Sequence, residues 1–297
     1  MLDYKLIEAM AVVIQEGGFD RAAQVLHLTQ SAVSQRVKLL EEQTGQVLMA
    51  RTSPPVPTSA GKQLLRHYLQ VKQLEDDLSE SFIYSKKDSF ISLAIGINAD
   101  SLATWFFKAV YPFLEKEHVL LDLRIDDQEE TFRMLRNGEV TGCISTKVQP
   151  IQGCRIDFLG AMNYRLVAAP DFAGQWFPQG LTKESLKKAP AVIFNRKDKL
   201  HSKMIEQIFD KNFNQIPAHY IPSSEKFADL IVSGFAYGML PDWQTLPLLQ
   251  SGRIIDIAHP YFVSAALYWH CWNLKSRLLE NFSGNLVKNA HLFLTQD

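Results

Sequence analysis

The stretch FDRAAQVLHLTQSAVSQRVKLLEEQTG, Phe19 to Gly45, decides the fold of the N-terminal region. Its later part opens on Thr29, Gln30, Ser31 and Ser34 and keeps Leu39 and Leu40 for the far end. Val33, Val37 and Leu40 stand at i, i+4 and i+7 and form one apolar face, while Ser31, Ser34, Gln35 and Lys38 form the opposite one. Thr29 reads as the N-cap of this helix and Gly45 as its C-terminal stop. Upstream, residues 3–16 place Leu6, Met10 and Val13 at helical spacing, with Ile7 and Ile14 beside them. Gly17 and Gly18 end that helix. Asp20 reads as the N-cap of a second, shorter helix over RAAQVL, and His27-Leu28 as a turn. Three short helices joined by tight turns make a helix-turn-helix pattern.

The polar face of the third helix suits a major groove. Gln pairs bidentately with adenine, and Ser bonds to several base edges. Gln30 and Ser31 lie at the N-terminal end, which enters the groove first and favours phosphate. A stripe like this is in general only a solvated helix face; here it sits on the third of three short helices, with a wing behind it. That wing is VLMARTSPPVPT: Val47-Leu48-Met49 suits a short strand, and Pro54, Pro55 and Pro57 forbid a helix. Bulk charge gives no support. Residues 1–58 hold five basic side chains, Lys5, Arg21, Arg36, Lys38 and Arg51, against six acidic ones. DNA binding must therefore rest on local placement: Arg21 and Arg36 near the turn, Lys38 on the reading helix, Arg51 in the wing. One copy is expected to bind double-stranded DNA weakly and to need a partner copy.

Thr58 reads as the cap of a long helix, SAGKQLLRHYLQVKQLEDDLSES, with Leu64, Tyr68, Val71 and Leu78 at helical spacing and Leu65, Leu69 and Leu74 widening the stripe. A helix this long beside a small domain needs a partner surface, which points to a dimerising linker. SKKDS, 85–89, reads as a hinge. The texture then changes to strand and helix in alternation: ISLAIGIN, a loop NADS with a helix from about Leu102, VLLDLRID, DQEE with a helix through Asn137, and GCIST. RLVAAP, AVIFN, AHYI, AYGMLP and ALYWHCW continue the pattern. This predicts α/β units with parallel strands in two lobes. The expected division is 1–58 for the winged domain, 59–87 for linker helix and hinge, and 88–297 for an α/β domain, with lobe I at 88–162 and 267–297 and lobe II at 163–266.

The 297 residues carry 46% hydrophobic and 21% charged side chains and a net charge of −1, a composition that favours a globular chain and no membrane. No apolar run approaches the roughly 20 residues of a membrane span. Three widely spaced cysteines, Cys143, Cys154 and Cys271, and an N-terminus without a basic lead or cleavage-like site suggest a reduced, cytoplasmic protein.

FDRAAQVLHLTQSAVSQRVKLLEEQTG followed by LMARTSPPVPTSAGKQLL resembles the N-terminal domain of LysR-type transcriptional regulators, and the resemblance runs over the whole chain. RTSPPVPT, NADSLATW and SSEKF narrow it to members governing arginine and lysine transport and metabolism genes. It implies a winged helix-turn-helix, a linker helix and a two-lobed domain resembling periplasmic binding proteins. It also implies a homodimer or dimer of dimers on promoter DNA, RNA polymerase as a further partner, and L-lysine or L-arginine as co-effector, with no cofactor. The family's DNA contacts fall on Gln30, Ser31, Ser34 and Gln35, with Arg51 as the wing arginine. Many members have a second arginine three residues later, where this chain has Pro54.

In two-lobed α/β domains ligands lie at the C-terminal ends of strands, between the lobes. The corresponding loops carry Asn98, Asp100 and Ser101; Asp127 and Glu129; Thr146; and Ser223, Ser224 and Glu225. Ser101, read at a helix start, suits a carboxylate. Asp100, Asp127 and Glu129 suit an ammonium or a cationic side chain. Acids in loops are as often simply solvated, and serines before helices are as often caps. His118, His201, His219, His259 and His270 lack metal-ligand spacing, and WHCW at 269–272 reads as core. No G-x-S-x-G, Gly-rich phosphate loop or H-E-x-x-H is present, so no enzyme is expected. The other readings at this level are a regulator of a different small molecule, an architectural DNA-binding protein, an amino-acid-binding protein, or a two-lobed catalyst of unknown type.

Overall fold

The computed structural model describes residues 3–82, 90–126, 128–209 and 216–296, with backbone alone at 79–82 and 128–129. The chain opens on α1 (Tyr4–Gln15), α2 (Phe19–Val25) and α3 (Gln30–Thr44). Thr29 caps α3, its hydroxyl accepting from the Ala32 amide at 3.2 Å, and Gly45 closes it in the left-handed region. Val33, Val37 and Leu40 are buried against Leu6, Ile7, Met10 and Val13 of α1. One expected cap is corrected. Gly18, not Asp20, is the N-cap of α2, and Asp20 lies in its first turn. The helix starts early because Phe19 packs on the core, and an acid in a first turn is equally suited to the helix dipole.

The wing is β1 (Met49–Ala50) paired antiparallel with β2 (Val56–Pro57). It begins later than Val47-Leu48-Met49 suggested. The Glu41 carboxylate of α3 accepts from the Leu48 amide at 2.8 Å, and Val47 is exposed. Then comes α4 (Ser59–Phe82), with Thr58 accepting from the Gly61 amide. Its first half belongs to the winged domain: Leu65 and Tyr68 are buried there, and Tyr4 bonds His67 at 2.8 Å. Leu74 and Leu78 of its second half are 39% and 57% exposed. The expected hinge at 85–89 lies outside the described residues.

The remainder runs β3 (Ile91–Ile97), α5 (Ala99–Thr104), α6 (Phe106–Leu114), β4 (Val119–Ile125), α7 (Gln128–Asn137), β5 (Gly142–Ser145), β6 (Cys154–Ala168), α8 (Pro170–Trp176) and α9 (Lys183–Leu186). After these come β7 (Ala191–Ile193), α10 (Leu200–Phe209), β8 (Ala218–Tyr220), α11 (Ser224–Val232), β9 (Tyr237–Pro241), α12 (Asp242–Gln250), β10 (Ile255–Asp256), β11 (Val263–Trp272) and α13 (Arg277–Ala290). The sheet order is β4-β3-β5-β11-β6-β9-β7-β8, with β10 beside β6. β3 is parallel to β4 and β5 in lobe I, and β7 is parallel to β8 and β9 in lobe II. The expected parallel strands are present in both lobes, but not every pair is parallel. β6 and β11 run antiparallel to each other along their length, and to β9 and β5 respectively. They are long because each crosses from one lobe to the other. A second correction concerns NADS: the helix begins at Ala99 rather than near Leu102, so Asp100 and Ser101 are helical. Trp269, His270, Cys271 and Trp272 are all core residues, and Trp269 donates to Ser283 at 2.9 Å. No disulfide joins the three cysteines. Among the described residues no helix is long and apolar enough to cross a membrane, and no cluster is arranged to hold a metal ion.

The linker helix rests on lobe I. Arg66 donates to the Gln152 carbonyl at 2.8 Å. Gly138, just after α7, has φ +79°, and a Cβ there would lie 2.7 Å from the Arg66 Cα. Only glycine allows both that backbone turn and that approach.

His201, at the start of α10, is buried beside Tyr237, and neither ring nitrogen has a partner among the described residues. Burial pushes its pKa down to about 4. Above about pH 6.5 the ring is neutral in both folded and unfolded chains and contributes no pH dependence. As pH falls from there to about 4, only the unfolded chain takes the proton, so stability is lost across that window, by roughly 3 kcal/mol in all. His201→Leu should remove this slope; urea unfolding of both proteins between pH 4 and 7 measures it.

Candidate functional site

Two surfaces gather the residues singled out in the sequence. The first is the outer face of α3 with the wing. Gln30, Ser31, Gln35 and Lys38 are exposed on α3, and Ser34 and Arg36 are half-buried beside them. Thr29 is exposed but its hydroxyl is engaged, capping the helix and bonding Ser31 at 3.1 Å. Lys38 pairs with Glu42 at 3.7 Å in solvent, a contact worth little that a phosphate can replace. Arg21, exposed on α2, donates to the Glu16 carbonyl at 3.3 Å. Arg51 is exposed directly after β1. Pro54 occupies the wing turn, its carbonyl accepting from Thr52 at 2.7 Å. The arrangement presents short hydrogen-bonding arms on a helix held rigidly by its apolar back, with cations on two sides.

The second surface is the cleft at the C-terminal ends of β3, β5, β7 and β8. Asp100, in the first turn of α5 in lobe I, accepts from the Ser224 hydroxyl of lobe II at 2.7 Å and from Tyr164 on β6 at 2.9 Å. The Gln244 amide of α12 donates to Ser224 at 3.3 Å. Asp100 keeps some accessible surface, but its carboxylate is deep. Burial raises its pKa, the two hydroxyl donors oppose this, and the negative charge of Asp198 adds to the rise. Tyr164 is held well above its ordinary value by burial and by the Asp100 charge. Asn98, the N-cap residue of α5, and Ser101 are buried, yet Asn98 Oδ1 and Ser101 Oγ have no partner among the described residues. Gln244 Oε1 is in the same condition.

Not every expected residue joins this group. Ser223 caps α11, accepting from the Lys226 amide, and Glu225 is exposed on that helix. Thr146 lies half-buried just past β5, on the same sheet edge. Asp127 and the side chain of Glu129 lie outside the described residues. Sequence reading missed Tyr164, Gln244 and Asp198. Tyr164 sits in a strand whose length was not recognised. Asp198 stands in NRKDKLH among Arg196, Lys197 and Lys199, which reads as a solvated loop. At the rim, Lys197 of lobe II pairs with Glu130 of α7 at 3.5 Å, a further link between lobes.

Residues 4–62 match the family described as bacterial regulatory helix-turn-helix protein, lysR family, and residues 92–288 match the LysR substrate binding domain. The chain belongs to the LysR family of bacterial regulators. It is therefore a DNA-binding transcriptional regulator with an effector-binding domain. Over 295 residues it is 41% identical to the HTH-type transcriptional regulator ArgP of Vibrio vulnificus, covering 99% of each chain. The crystal structure of ArgP from Mycobacterium tuberculosis superposes with a TM-score of 0.89 at 35% identity, covering 100% of both chains. Full-length LysG from Corynebacterium glutamicum with bound effector Arg superposes at 0.80 and 30% identity, covering 99% of this chain and 100% of that one.

Tyr164 and Ser224 stabilise the ionised form of Asp100. Tyr164→Phe should therefore push the Asp100 pKa further up. The 13C carboxyl resonance that disappears in Asp100→Asn, followed from pH 3 to 8, reports it.

Proposed function

We infer that this regulator binds L-arginine or L-lysine between its lobes and changes its grip on promoter DNA in response. One observation carries the reading. The Asp100 carboxylate lies between the lobes with hydroxyl partners only, beside a second acid and with no cation paired to it among the described residues. A buried carboxylate in that state favours a ligand that brings positive charge. The similarity to LysG, solved with bound arginine, and to ArgP supports the same ligand class.

In this reading Gln30, Ser31, Ser34 and Gln35 contact base edges, and Arg21, Arg36, Lys38 and Arg51 contact phosphates, with Thr29 presenting the helix end. Asn98, Ser101, Thr146 and Ser224 line the effector site with Asp100; Ser223 and Glu225 sit at its edge. The exposed Leu74 and Leu78 of α4 meet those of a second copy, giving a homodimer, and pairs of dimers on longer sites. The winged unit spans 1–58, the linker 59–87 and the effector domain 88–297, in a cytoplasmic protein without enzymatic activity.

Coupling runs through α7. The helix begins at the cleft rim, where Glu130 holds Lys197 of lobe II, and ends at Gly138 against Arg66 of the linker helix. Lobe closure moves one end of α7 and so the helix that spaces the two winged domains. The effector acts only by its differential affinity for the two arrangements.

Selection of sites from a random duplex pool by the full-length protein, followed by footprinting with and without arginine, lysine, leucine or glutamate, tests the function. Two half-sites and a footprint that changes with a basic amino acid alone are expected. Sites without sequence preference, or a footprint indifferent to all four, would sink the reading. A second expectation concerns coupling. Gly138→Ala and Arg66→Gln should leave arginine affinity within about twofold, yet abolish the arginine-dependent change in footprint. An unaltered response in both variants would remove α7 from the path.

A further inference from the structure

The loop between β7 and α10 holds Asp198 at a place in lobe II that mirrors Asp100 in lobe I. β3 and β7 are each central in a parallel trio, and each acid follows the C-terminal end of its strand. The lobes bring these ends together, since Asp100 bonds Ser224 and Tyr164. The negative charge of Asp198 raises the pKa of both Asp100 and Tyr164, in keeping with that placement. The loop is fixed: Asn195 Oδ1 accepts from the amides of Lys197 at 2.8 Å and Asp198 at 3.1 Å, and Asp198 Oδ1 accepts from the Leu200 amide at 2.8 Å.

The two acids repel and both carry a desolvation cost, which for Asp198 the backbone amides and the Lys203 charge offset in part. Close by, among the described residues, Asn98 Oδ1 is an acceptor without a donor on a residue 7% exposed, and Ser101 Oγ, fully buried, is also unpartnered. Gln244 Oε1 is a further acceptor without a donor among the described residues. A complementary ligand supplies several N–H donors and a positive charge. A guanidinium has five donors in a planar fork, and an ammonium has three. We propose that Asp198 is a second recognition residue of the effector cleft, and that the side-chain cation of the effector is read jointly by Asp198 and Asp100, one carboxylate from each lobe. This rests on the basic-amino-acid reading above and adds a division of labour: charge selectivity requires both lobes, so the cation itself draws them together.

A merely structural Asp198 is the competing account, because it bonds the amide at the start of α10. Asp198→Asn separates the two, since asparagine keeps the Oδ1 acceptor and loses only the charge. The experiment is calorimetric titration of the full-length wild type and Asp198→Asn with arginine, lysine and citrulline, the uncharged near-isostere of arginine. Thermal unfolding and effector-free DNA binding are measured alongside. The expected result is at least a tenfold loss of arginine and lysine affinity, a comparable fall in the arginine-to-citrulline preference, and unchanged melting temperature and DNA binding. A variant that binds arginine like the wild type, with the same preference over citrulline, overturns this inference and leaves the proposed function standing. A wild type that binds neither arginine nor lysine overturns both.

Discussion

Pairing between β6 and β11 is the constraint on which the effector half depends. From Cys154 opposite Trp272 to Tyr164 opposite Val263, the two strands form an antiparallel ribbon through both lobes. The lobes are thus two ends of one sheet, and movement between them must bend this ribbon without breaking its ladder. The register shifts between Leu267 and Tyr268, opposite Gly160, whose φ of +124° is open to glycine alone. A bulge is where a ladder bends most readily. A Cβ at Gly160 would lie within 3 Å of Leu294 and Thr295, because the C-terminal segment bridges to Ala161 at that point. The bend is therefore clamped from outside, which favours a few discrete arrangements over continuous flexing.

That mechanics gives meaning to what crosses the cleft. Asp100 to Ser224, Lys197 to Glu130, and Lys108 over the Trp243 ring at 4.2 Å all join the lobes. Two of the three are solvent-facing contacts of modest worth. The deep one involves a carboxylate whose ionised form is penalised by burial. Closure without ligand is therefore only weakly held. A cation at this site has leverage because it improves the least satisfied contact while leaving the others as they are.

Much of this was legible in the sequence, and the failures have physical reasons. The winged domain was readable because helix period, caps and breakers agree over a short span: Thr29, Gly45 and the Val33-Val37-Leu40 face each point the same way. Asp20 misled because an acid is favourable both at an N-cap and one turn in. β6 was read only at RLVAAP, since the part over residues 154–163 is buried unevenly and shows no clean alternation. Strand direction is not written in local periodicity at all, so the antiparallel crossover had to come from the fold. Asp100 was found because it follows a recognisable strand. Asp198 was lost because its charged neighbours, harmless in solvent, disguised a half-buried acid.

The near-neutral winged domain fits the same economy. With five basic side chains against six acidic ones in residues 1–58, few counterions are released when one copy meets DNA. Affinity must then come from joining two such units, which turns the second encounter into an intramolecular one. The gain depends on whether the linker geometry lets both reading helices reach their half-sites together, and vanishes when it does not. A strongly basic domain would bind in either geometry and blunt the switch. Weak individual contacts make binding sensitive to spacing, and in the proposed coupling the contact of Arg66 with lobe I is where effector and spacing meet.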